Sequence, residues 1–276
     1  MNSGWIQLAS RLARGLLHKS MELLAPAPAE CLVCSKPKRA GRNRDGLLPY
    51  GYPELPLLAA SLCSSCLKAI PWMRRIVCPV CGRGVHCDDC SRRSERAFMI
   101  NRSAVAYNPA MREWLALYKY RGQERLAPML GEMLLPACWL LMRQMGGKGW
   151  DFVTYVPISE ERAMERGFNQ AEEIAGHIAG KLGLKVVRTL KRTRHAGKMS
   201  FKTRRERISE AKTLFKMDEQ SSRYIRQMAM ERGREIRILL VDDIYTTGST
   251  AEACAYAIQE GSGGAAAIYV ATWARS

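Results

Sequence analysis

The 276-residue sequence lacks long uninterrupted hydrophobic segments. No apolar run approaches the length of about 20 residues that a membrane-spanning helix needs. The apolar stretch near the N-terminus is interrupted by Arg11 and Arg14, so a cleavable secretion signal is not expected either. We therefore expect a globular protein without a transmembrane segment, and its content of 47% apolar residues is typical of that class.

Acidic residues are scarce as well. The chain has 26 aspartates and glutamates against 43 lysines and arginines, which gives a formal net charge of +17. An excess of this size points to a polyanionic partner, which is nucleic acid, a phosphorylated ligand or an anionic membrane face. Charge alone does not distinguish among these partners.

Eight of the ten cysteines form four Cys-x-x-Cys pairs between residues 31 and 90. Each pair can present two thiolates to one metal ion, and two pairs complete a tetrahedral Cys₄ site, so the spacing predicts two structural Zn²⁺ ions. Metal binding needs reduced thiols, which favours a cytoplasmic protein over a secreted one. Consecutive pairing assigns Cys31, Cys34, Cys63 and Cys66 to one ion and Cys78, Cys81, Cys87 and Cys90 to the other. A cross-braced scheme, in which the first pair joins the third, is also compatible with the spacing.

Three regions follow from these patterns. Residues 1–26 are expected to form an amphipathic helix with basic residues on one side, which either packs on its own protein or makes peripheral contact with a membrane. Residues 27–95 are expected to form a double zinc-ribbon module, too small to fold without its metal. Residues 96–276 are expected to form a larger α/β domain. The other two cysteines, Cys138 and Cys254, have apolar surroundings typical of core residues.

The larger domain is centred on the stretch ILLVDDIYTTGSTA, residues 238–251. Its four apolar residues predict a buried parallel strand, and an alanine-rich helix follows the loop. Asp242 and Asp243 stand at the carboxyl end of the strand, where carboxylates suit ribose hydroxyls and Mg²⁺. Unpaired N–H groups and the helix dipole in such a loop favour a phosphate monoester. The residues predicted to hold the phosphate are Thr246, Thr247, Gly248, Ser249 and Thr250.

Further strands are predicted near residues 104–107, 152–156, 185–190 and 267–272. Ligands bind beyond the carboxyl ends of strands in a doubly wound sheet, so the loop after residue 156 should face the same crevice as the acid pair. Basic residues on this loop and at the end of the helix that begins at Pro109 are candidates for binding a pyrophosphate or another anion. They are Lys119, Arg121, Arg162 and Arg166.

A basic stretch with little apolar content follows the strand near residue 190. It is a candidate lid over an anionic ligand. Alternatively, it binds the backbone of a nucleic acid, and Phe201 stacks on a base. A solvated charged face is the simpler alternative. The residues concerned are Lys202, Arg204, Arg205 and Arg207.

Together these motifs resemble the ComF family of competence proteins, bacterial chains in which a Cys₄ zinc module precedes a type I phosphoribosyltransferase-like domain. The matching segments are the four cysteine pairs, YKYRG at 118–122, RGFNQ at 166–170, KTRRER at 202–207 and VDDIYTTGST at 241–250. The resemblance implies a parallel sheet with helices on both faces and a site for phosphoribosyl pyrophosphate (PRPP) with Mg²⁺. It also implies that Asp242 and Asp243 are the catalytic acids that hold the ribose hydroxyls.

The same resemblance implies a role in handling incoming single-stranded DNA during natural transformation. The expected location is the cytoplasm, with the inner face of the cell membrane as a further option, and the competence DNA-transport machinery is a candidate partner. The alternative is an active phosphoribosyltransferase that displaces pyrophosphate from PRPP onto an unidentified base, amine or nucleic-acid acceptor.

Overall fold

The computed structural model describes residues 30–38, 51, 55–91, 96–120, 123–193 and 213–276. Three expectations lie outside these residues, namely the N-terminal helix, the position of Arg121, and the basic segment with Lys202, Arg204, Arg205 and Arg207.

The larger domain is built on a four-stranded parallel sheet with the strand order β1-β6-β5-β2, together with a separate two-stranded antiparallel ribbon of β3 and β4. The predicted parallel sheet with helices on both faces is thereby confirmed. The strands are β1 (Asn101–Ala106), β2 (Phe152–Tyr155), β3 (Leu190–Arg192), β4 (Phe215–Met217), β5 (Ile236–Tyr245) and β6 (Ala266–Arg275).

Short helices occur in the cysteine-rich region and longer ones surround the sheet. They are α1 (Pro56–Ser61), α2 (Ser64–Lys68), α3 (Asp88–Ser91), α4 (Pro109–Lys119), α5 (Ala127–Gln144), α6 (Glu160–Arg166), α7 (Gln170–Leu182), α8 (Glu219–Arg232) and α9 (Ser249–Ser262), with a 3₁₀ turn at Glu124–Leu126.

Strand β5 lies in the interior because both of its faces are apolar. Leu239 and Val241 pack on the first face of the sheet, in one core with α5 and α7. Ile238 and Leu240 pack on the second face, in another core with α8, α9 and the β3–β4 ribbon. All four side chains are fully buried, as a continuous apolar run in a parallel strand predicts.

The helix boundaries follow local capping chemistry. The side chain of Asn108 caps α4 by accepting from Met111 N at 2.8 Å, and Asp218 caps α8 by accepting from Ser221 N at 2.9 Å. Helix α7 ends at Gly183, whose left-handed conformation satisfies the last turn. The predicted end of this helix is confirmed.

Two local predictions were wrong. Residues 185–190 do not form a regular strand, because only Val186 bridges to Val153 at the sheet edge before the chain turns into the ribbon at Leu190. Arg162 and Arg166 lie on a short helix, α6, rather than on an open loop, because Ser159 accepts a hydrogen bond from Arg162 N and starts a helical turn.

One helix in the described part of the chain is both long and apolar. Residues Glu124–Gln144 are long and apolar enough to cross a membrane by length and composition, with a mean hydropathy of 1.2, and no other helix in the described part of the chain meets that test. However, 78% of this window is buried inside the protein. Its packing partner is α7, which approaches so closely that a side chain at Gly131 would meet His177. The segment therefore has the burial of a core helix.

Each half of the cysteine-rich region joins a different core of the larger domain. Cys31, Leu58 and Leu62 belong to the core of the first face, and Leu57 N in α1 donates to Glu132 Oε1 on α5. Cys78, Cys81 and Cys87 belong to the core of the second face, on the side of α9. We refer to residues 31–66 as the first module and to residues 78–90 as the second module.

Candidate functional site

The eight paired cysteines form two tetrads, Cys31/Cys34/Cys63/Cys66 and Cys78/Cys81/Cys87/Cys90, and the sulfurs of each tetrad lie within 4.8 Å of one another. Consecutive pairing is therefore confirmed, and the cross-braced scheme is excluded. The Sγ atoms of Cys34 and Cys63 are 3.7 Å apart, and those of Cys81 and Cys87 are 3.6 Å apart. Sulfurs at the corners of a tetrahedral zinc site with Zn–S bonds of about 2.3 Å are about 3.8 Å apart, so each tetrad fits one Zn²⁺ ion.

The local backbone favours the ionised form of one thiol in each tetrad, whereas burial and the neighbouring thiols raise the pKa of Cys66 and of Cys90. Burial raises the pKa of Cys31, but the backbone N–H groups of Cys34, Cys63 and Val33 outweigh it and lower the pKa to about 7. For Cys78 the same balance of burial against backbone N–H groups also gives a pKa of about 7. A cysteine binds a metal ion as the thiolate, so the lowered pKa of Cys31 and of Cys78 favours metal binding at both tetrads.

Other nearby residues are not ligands. The side chain of His86 is 80% exposed and faces Asp88 at 3.3 Å. Cys138 and Cys254 are fully buried, and burial raises the pKa of both thiols. The prediction that these two cysteines are core residues is confirmed.

The acid pair lies within β5, which continues to Tyr245 and is therefore longer than the apolar run suggested. The backbone N–H of Asp243 donates to Asp242 Oδ1 at 2.9 Å, and Asp242 stands beside Thr272 of β6 in the sheet register. Burial and the neighbouring charge of Asp243 raise the pKa of Asp242 well above its usual range. A bound cation would relieve this repulsion, so the two carboxylates fit Mg²⁺.

A basic residue already neutralises one of these acids. Lys119 Nζ lies 2.7 Å from Asp243 Oδ2, and the two side chains are 27% and 22% exposed. Lys119 ends α4, so the end of this helix and the acid pair meet at one edge of the sheet.

The loop after β5 leads into α9, and Ser249 N donates to Thr247 Oγ1 at 3.4 Å. Gly248 is the N-cap residue at φ +80°, and no side chain caps the helix. In the part of the chain that the structure describes, the N–H groups of Thr250 and Ala251 have no hydrogen-bond acceptor. Thr247 Oγ1 and Ser249 Oγ are 3.1 Å apart. The loop borders a small, solvent-open cleft lined by Asp242, Ile244, Tyr245, Thr246, Gly248, Thr250 and Ala251.

Two residues beneath this loop were missed by the sequence analysis. The guanidinium of Arg275, which is 5% exposed, stacks over the ring of Tyr245 at 4.6 Å. Its Nη1 also donates to the carbonyl oxygen of Thr246 at 3.4 Å. Tyr245 lies against Gly248, where any Cβ would overlap the tyrosine hydroxyl. In the sequence, the role of Arg275 is indicated only by the position of a charged residue at the end of an apolar strand.

The RGFNQ segment forms the junction between α6 and α7. Phe168 packs on Tyr118 with ring centroids 5.3 Å apart, and Tyr118 Oη donates to the carbonyl of Gln170 at 3.0 Å. Arg166 Nη1 donates to Gln170 Oε1 at 2.7 Å, whereas Arg162 is exposed. Among the described residues, neither arginine forms a hydrogen bond or ion pair with the acid pair. The segment thus joins the YKYRG helix to the edge of the sheet.

Comparison with known proteins identifies the family. No protein-family model matches the chain. Competence protein ComFC of Bacillus subtilis (strain 168) is 30% identical over 224 residues, which cover 78% of this chain and 84% of that protein. The chain belongs to the ComF family of competence proteins. The family expected from the motifs is confirmed.

Two further relatives extend this ComF-family assignment. Competence protein ComFC of Streptococcus pneumoniae (strain ATCC BAA-255 / R6) is 28% identical over 227 residues, which cover 80% of this chain and 89% of that protein. The DNA utilization protein YhgH of Salmonella typhi is 26% identical over 225 residues, which cover 79% of this chain and 80% of that protein.

A solved structure described as the allosteric regulatory enzyme of purine biosynthesis overlaps 54% of this ComF-family chain and 26% of its own length. The TM-score is 0.33 and the sequence identity is 19%. A likeness this partial supports no statement about fold or function.

Proposed function

We propose that this ComF-family chain binds PRPP with Mg²⁺ at the end of β5 and handles incoming single-stranded DNA during natural transformation. The observation that carries the proposal is the juxtaposition of Asp242 and Asp243 with the uncapped first turn of α9. Carboxylates for a sugar and a cation then stand beside N–H groups for a phosphate.

Each part of the ligand has a matching set of groups. The N–H groups of Thr250 and Ala251, with the hydroxyls of Thr246, Thr247, Ser249 and Thr250, bind the 5′-phosphate, and Gly248 lets the backbone approach it. The acid pair binds the ribose hydroxyls and Mg²⁺. Cations bind the pyrophosphate. Lys119 is closest to the acids, and Arg121, Arg162 and Arg166 are the further candidates.

The net charge and the similarity to named relatives support the part of the proposal that concerns DNA. The net charge of +17 suits a polyanion, and the relatives carry the names competence protein and DNA utilization protein. The basic residues Lys202, Arg204, Arg205 and Arg207 form the proposed nucleic-acid contact or lid. The proposed location is the cytoplasm, at or near the inner face of the membrane, where the chain would meet the DNA-transport machinery.

Calorimetry tests both parts in one design. PRPP with Mg²⁺ is titrated into the zinc-loaded full chain, alone and with a short single-stranded DNA oligomer. We expect PRPP binding that needs Mg²⁺, and a changed PRPP affinity when DNA is bound. Absence of PRPP binding under both conditions would contradict the ligand assignment.

The DNA contact has its own variant. Arg204→Gln with Arg205→Gln is expected to weaken single-strand binding and to reduce its salt dependence. The matched control removes two positive charges from exposed positions elsewhere, Arg112→Gln with Lys181→Gln, and should bind DNA more tightly than the first variant. Equal losses in the two variants would show that only net charge matters.

A second candidate is an active transferase, favoured by the presence of both acids beside the phosphate loop. In that reaction the acceptor nucleophile forms a bond to C1 of the ribose. The C1–O bond to pyrophosphate breaks, and pyrophosphate leaves with the electron pair. The protein positions groups and stabilises charge. Mg²⁺-dependent release of pyrophosphate, lost in Asp243→Asn, is the measurement that decides for it.

A further inference from the structure

The phosphate loop is supported from beneath by a buried cation and an aromatic ring. Arg275 contacts the loop through the carbonyl of Thr246 and stacks on Tyr245, which in turn fills the space beside Gly248. A planar guanidinium with one face on a ring fixes the ring more firmly than an aliphatic neighbour would. The position of residues 246–248 therefore depends on this pair of side chains, of which Tyr245 also lines the cleft and Arg275 does not.

The segment that follows the second module contacts Tyr245 and packs against the cysteines of that module. Phe98, 3% exposed, packs edge-on against Tyr245 with ring centroids 6.4 Å apart, and it shares a core with Cys78, Cys81 and Cys87. The adjoining backbone N–H of Ala97 donates to Glu252 Oε1, in the first turn of α9, at 2.9 Å. Ala97 and Phe98, which follow the second module, thus contact the first turn of α9 and the ring of Tyr245.

A buried polar network makes a second connection to the same place. The side-chain amide of Asn101 donates to the carbonyl of Cys81 at 3.1 Å and to Ser103 Oγ at 3.2 Å. Ser103 Oγ lies 2.6 Å from Thr272 Oγ1, and Thr272 is the register neighbour of Asp242. Buried networks of this kind are rigid because any movement leaves a polar atom without a partner.

The described residues of the first module make no corresponding contact with Tyr245, Arg275 or α9. It joins the core on the other face of the sheet, through α1 packed on α5 and the hydrogen bond from Leu57 N to Glu132. The two tetrads have the same four cysteine ligands, but they pack on different faces of the sheet.

We infer that Arg275 and Tyr245 are positioning residues for the phosphate loop, and that the second module, but not the first, holds them in place. Ligand affinity at the loop is then coupled to the integrity of the second module, and by reciprocity the ligand stabilises that module. The inference rests on the proposed function only for the identity of the ligand.

The first test compares two arginines. Arg275→Met removes the stacked cation. Arg234→Met removes an arginine that binds Asp151 at the opposite end of β5. In the ligand-free, zinc-loaded protein, amide hydrogen exchange of residues 245–251 should accelerate more than tenfold in Arg275→Met and stay unchanged in Arg234→Met. The dissociation constant for PRPP with Mg²⁺ should rise more than tenfold in the first variant only.

A milder substitution keeps the test decisive if Arg275→Met does not fold. Arg275→Lys keeps the charge but loses the planar stack, and we expect a smaller change in the same direction. Unchanged loop exchange in a folded Arg275 variant would overturn the inference. If the wild-type protein binds no PRPP, the proposed function fails, but the exchange measurement on the ligand-free chain still decides whether Arg275 positions the loop.

The second test compares the two modules without touching a cysteine. Phe98→Ala removes the ring that packs on both the second module and Tyr245, and Leu58→Ala makes a similar cavity between the first module and α5. Zinc content is measured to confirm that both variants hold two ions. Faster loop exchange and weaker PRPP binding in Phe98→Ala alone support the inference, whereas equal effects in both variants overturn the distinction between the modules.

Discussion

The ammonium group of Lys119 lies 2.7 Å from Oδ2 of Asp243, so a cation of the protein itself occupies the acid pair. The contact connects two segments that lie more than a hundred residues apart, the end of α4 and the end of β5. Under the proposed function, Mg²⁺ and the pyrophosphate must change this contact, because Mg²⁺ needs the carboxylate and the pyrophosphate attracts the ammonium.

Lys119→Met should therefore affect the two ligands in opposite directions. Both partners are about a quarter exposed, so solvent screening limits the pair to about 1 kcal/mol, or about fivefold in a dissociation constant. We expect Mg²⁺ alone to bind about fivefold more tightly, because Asp243 no longer has a competing cation, and PRPP to bind more weakly. Titration calorimetry measures both, with Lys181→Met as the control for loss of charge. Weaker binding of both ligands would show that Lys119 does not compete with the metal.

Asp242→Asn should stabilise the ligand-free protein at neutral pH. Burial and Asp243 raise the pKa of Asp242 in the folded state, so its contribution is favourable at low pH and is lost as pH rises through the raised pKa. The asparagine variant avoids that loss and should gain about 1 kcal/mol near pH 7.5. Below pH 3.8, the ordinary pKa of an aspartate, Asp242 and the asparagine that replaces it are both neutral, so the gain in stability should vanish.

Thermal unfolding at pH 3.5 and at pH 7.5 checks this expectation. A higher Tm for the variant at the upper pH only is the predicted result. Saturating Mg²⁺ and PRPP should reverse the order, since only the wild-type protein keeps both carboxylates for the cation. A variant less stable than wild type at both pH values would mean that Asp242 is stabilising in the absence of ligand.

The sequence predicted the central strand well because Ile238–Val241 is apolar on both faces, and only a strand buried on both sides accommodates that pattern. The acid pair and the proposed phosphate loop were singled out because they directly follow this apolar run, although β5 continues past both acids to Tyr245. The sequence favoured consecutive pairing of the tetrads but did not settle it, because ligand spacing allows two schemes and only the positions of the sulfurs separate them.

The failures concern residues whose surroundings come from distant parts of the chain. Segment 185–190 has strand composition, but it lies at the sheet edge, where one bridge to Val153 is all that forms. The role of Arg275 depends on a ring thirty residues away and on the way β5 and β6 align, which no local pattern encodes. Tertiary packing decided both cases.

The two tetrads predict two Zn²⁺ ions per chain. Cys34→Ser and Cys90→Ser each remove one ligand from a different tetrad, so each should reduce the zinc content towards one ion. Cys138→Ala, in the core and outside both tetrads, should retain two. Metal analysis of the purified chains gives the stoichiometry, and one ion in the wild-type protein would contradict the assignment of one ion to each tetrad.

Gly248→Ala should abolish high-affinity phosphate binding for a reason that can be separated from backbone strain. Gly248 and Gly264 both have φ +80°, so alanine meets a similar conformational penalty of about 1 kcal/mol at either position. Only at Gly248 does a Cβ overlap a side chain, the hydroxyl end of Tyr245, while at Gly264 nothing lies within 4 Å.

The overlap must push either the tyrosine or the loop away, and Arg275, which stacks on the ring, resists movement of the tyrosine. The loop therefore moves, and the N–H groups of Thr250 and Ala251 leave their positions. PRPP binding should fall more than tenfold in Gly248→Ala and remain at the wild-type level in Gly264→Ala, with similar losses of Tm in both. If binding fell equally in the two variants, backbone strain alone would account for the effect, and the close approach of Tyr245 would have no part in shaping the loop.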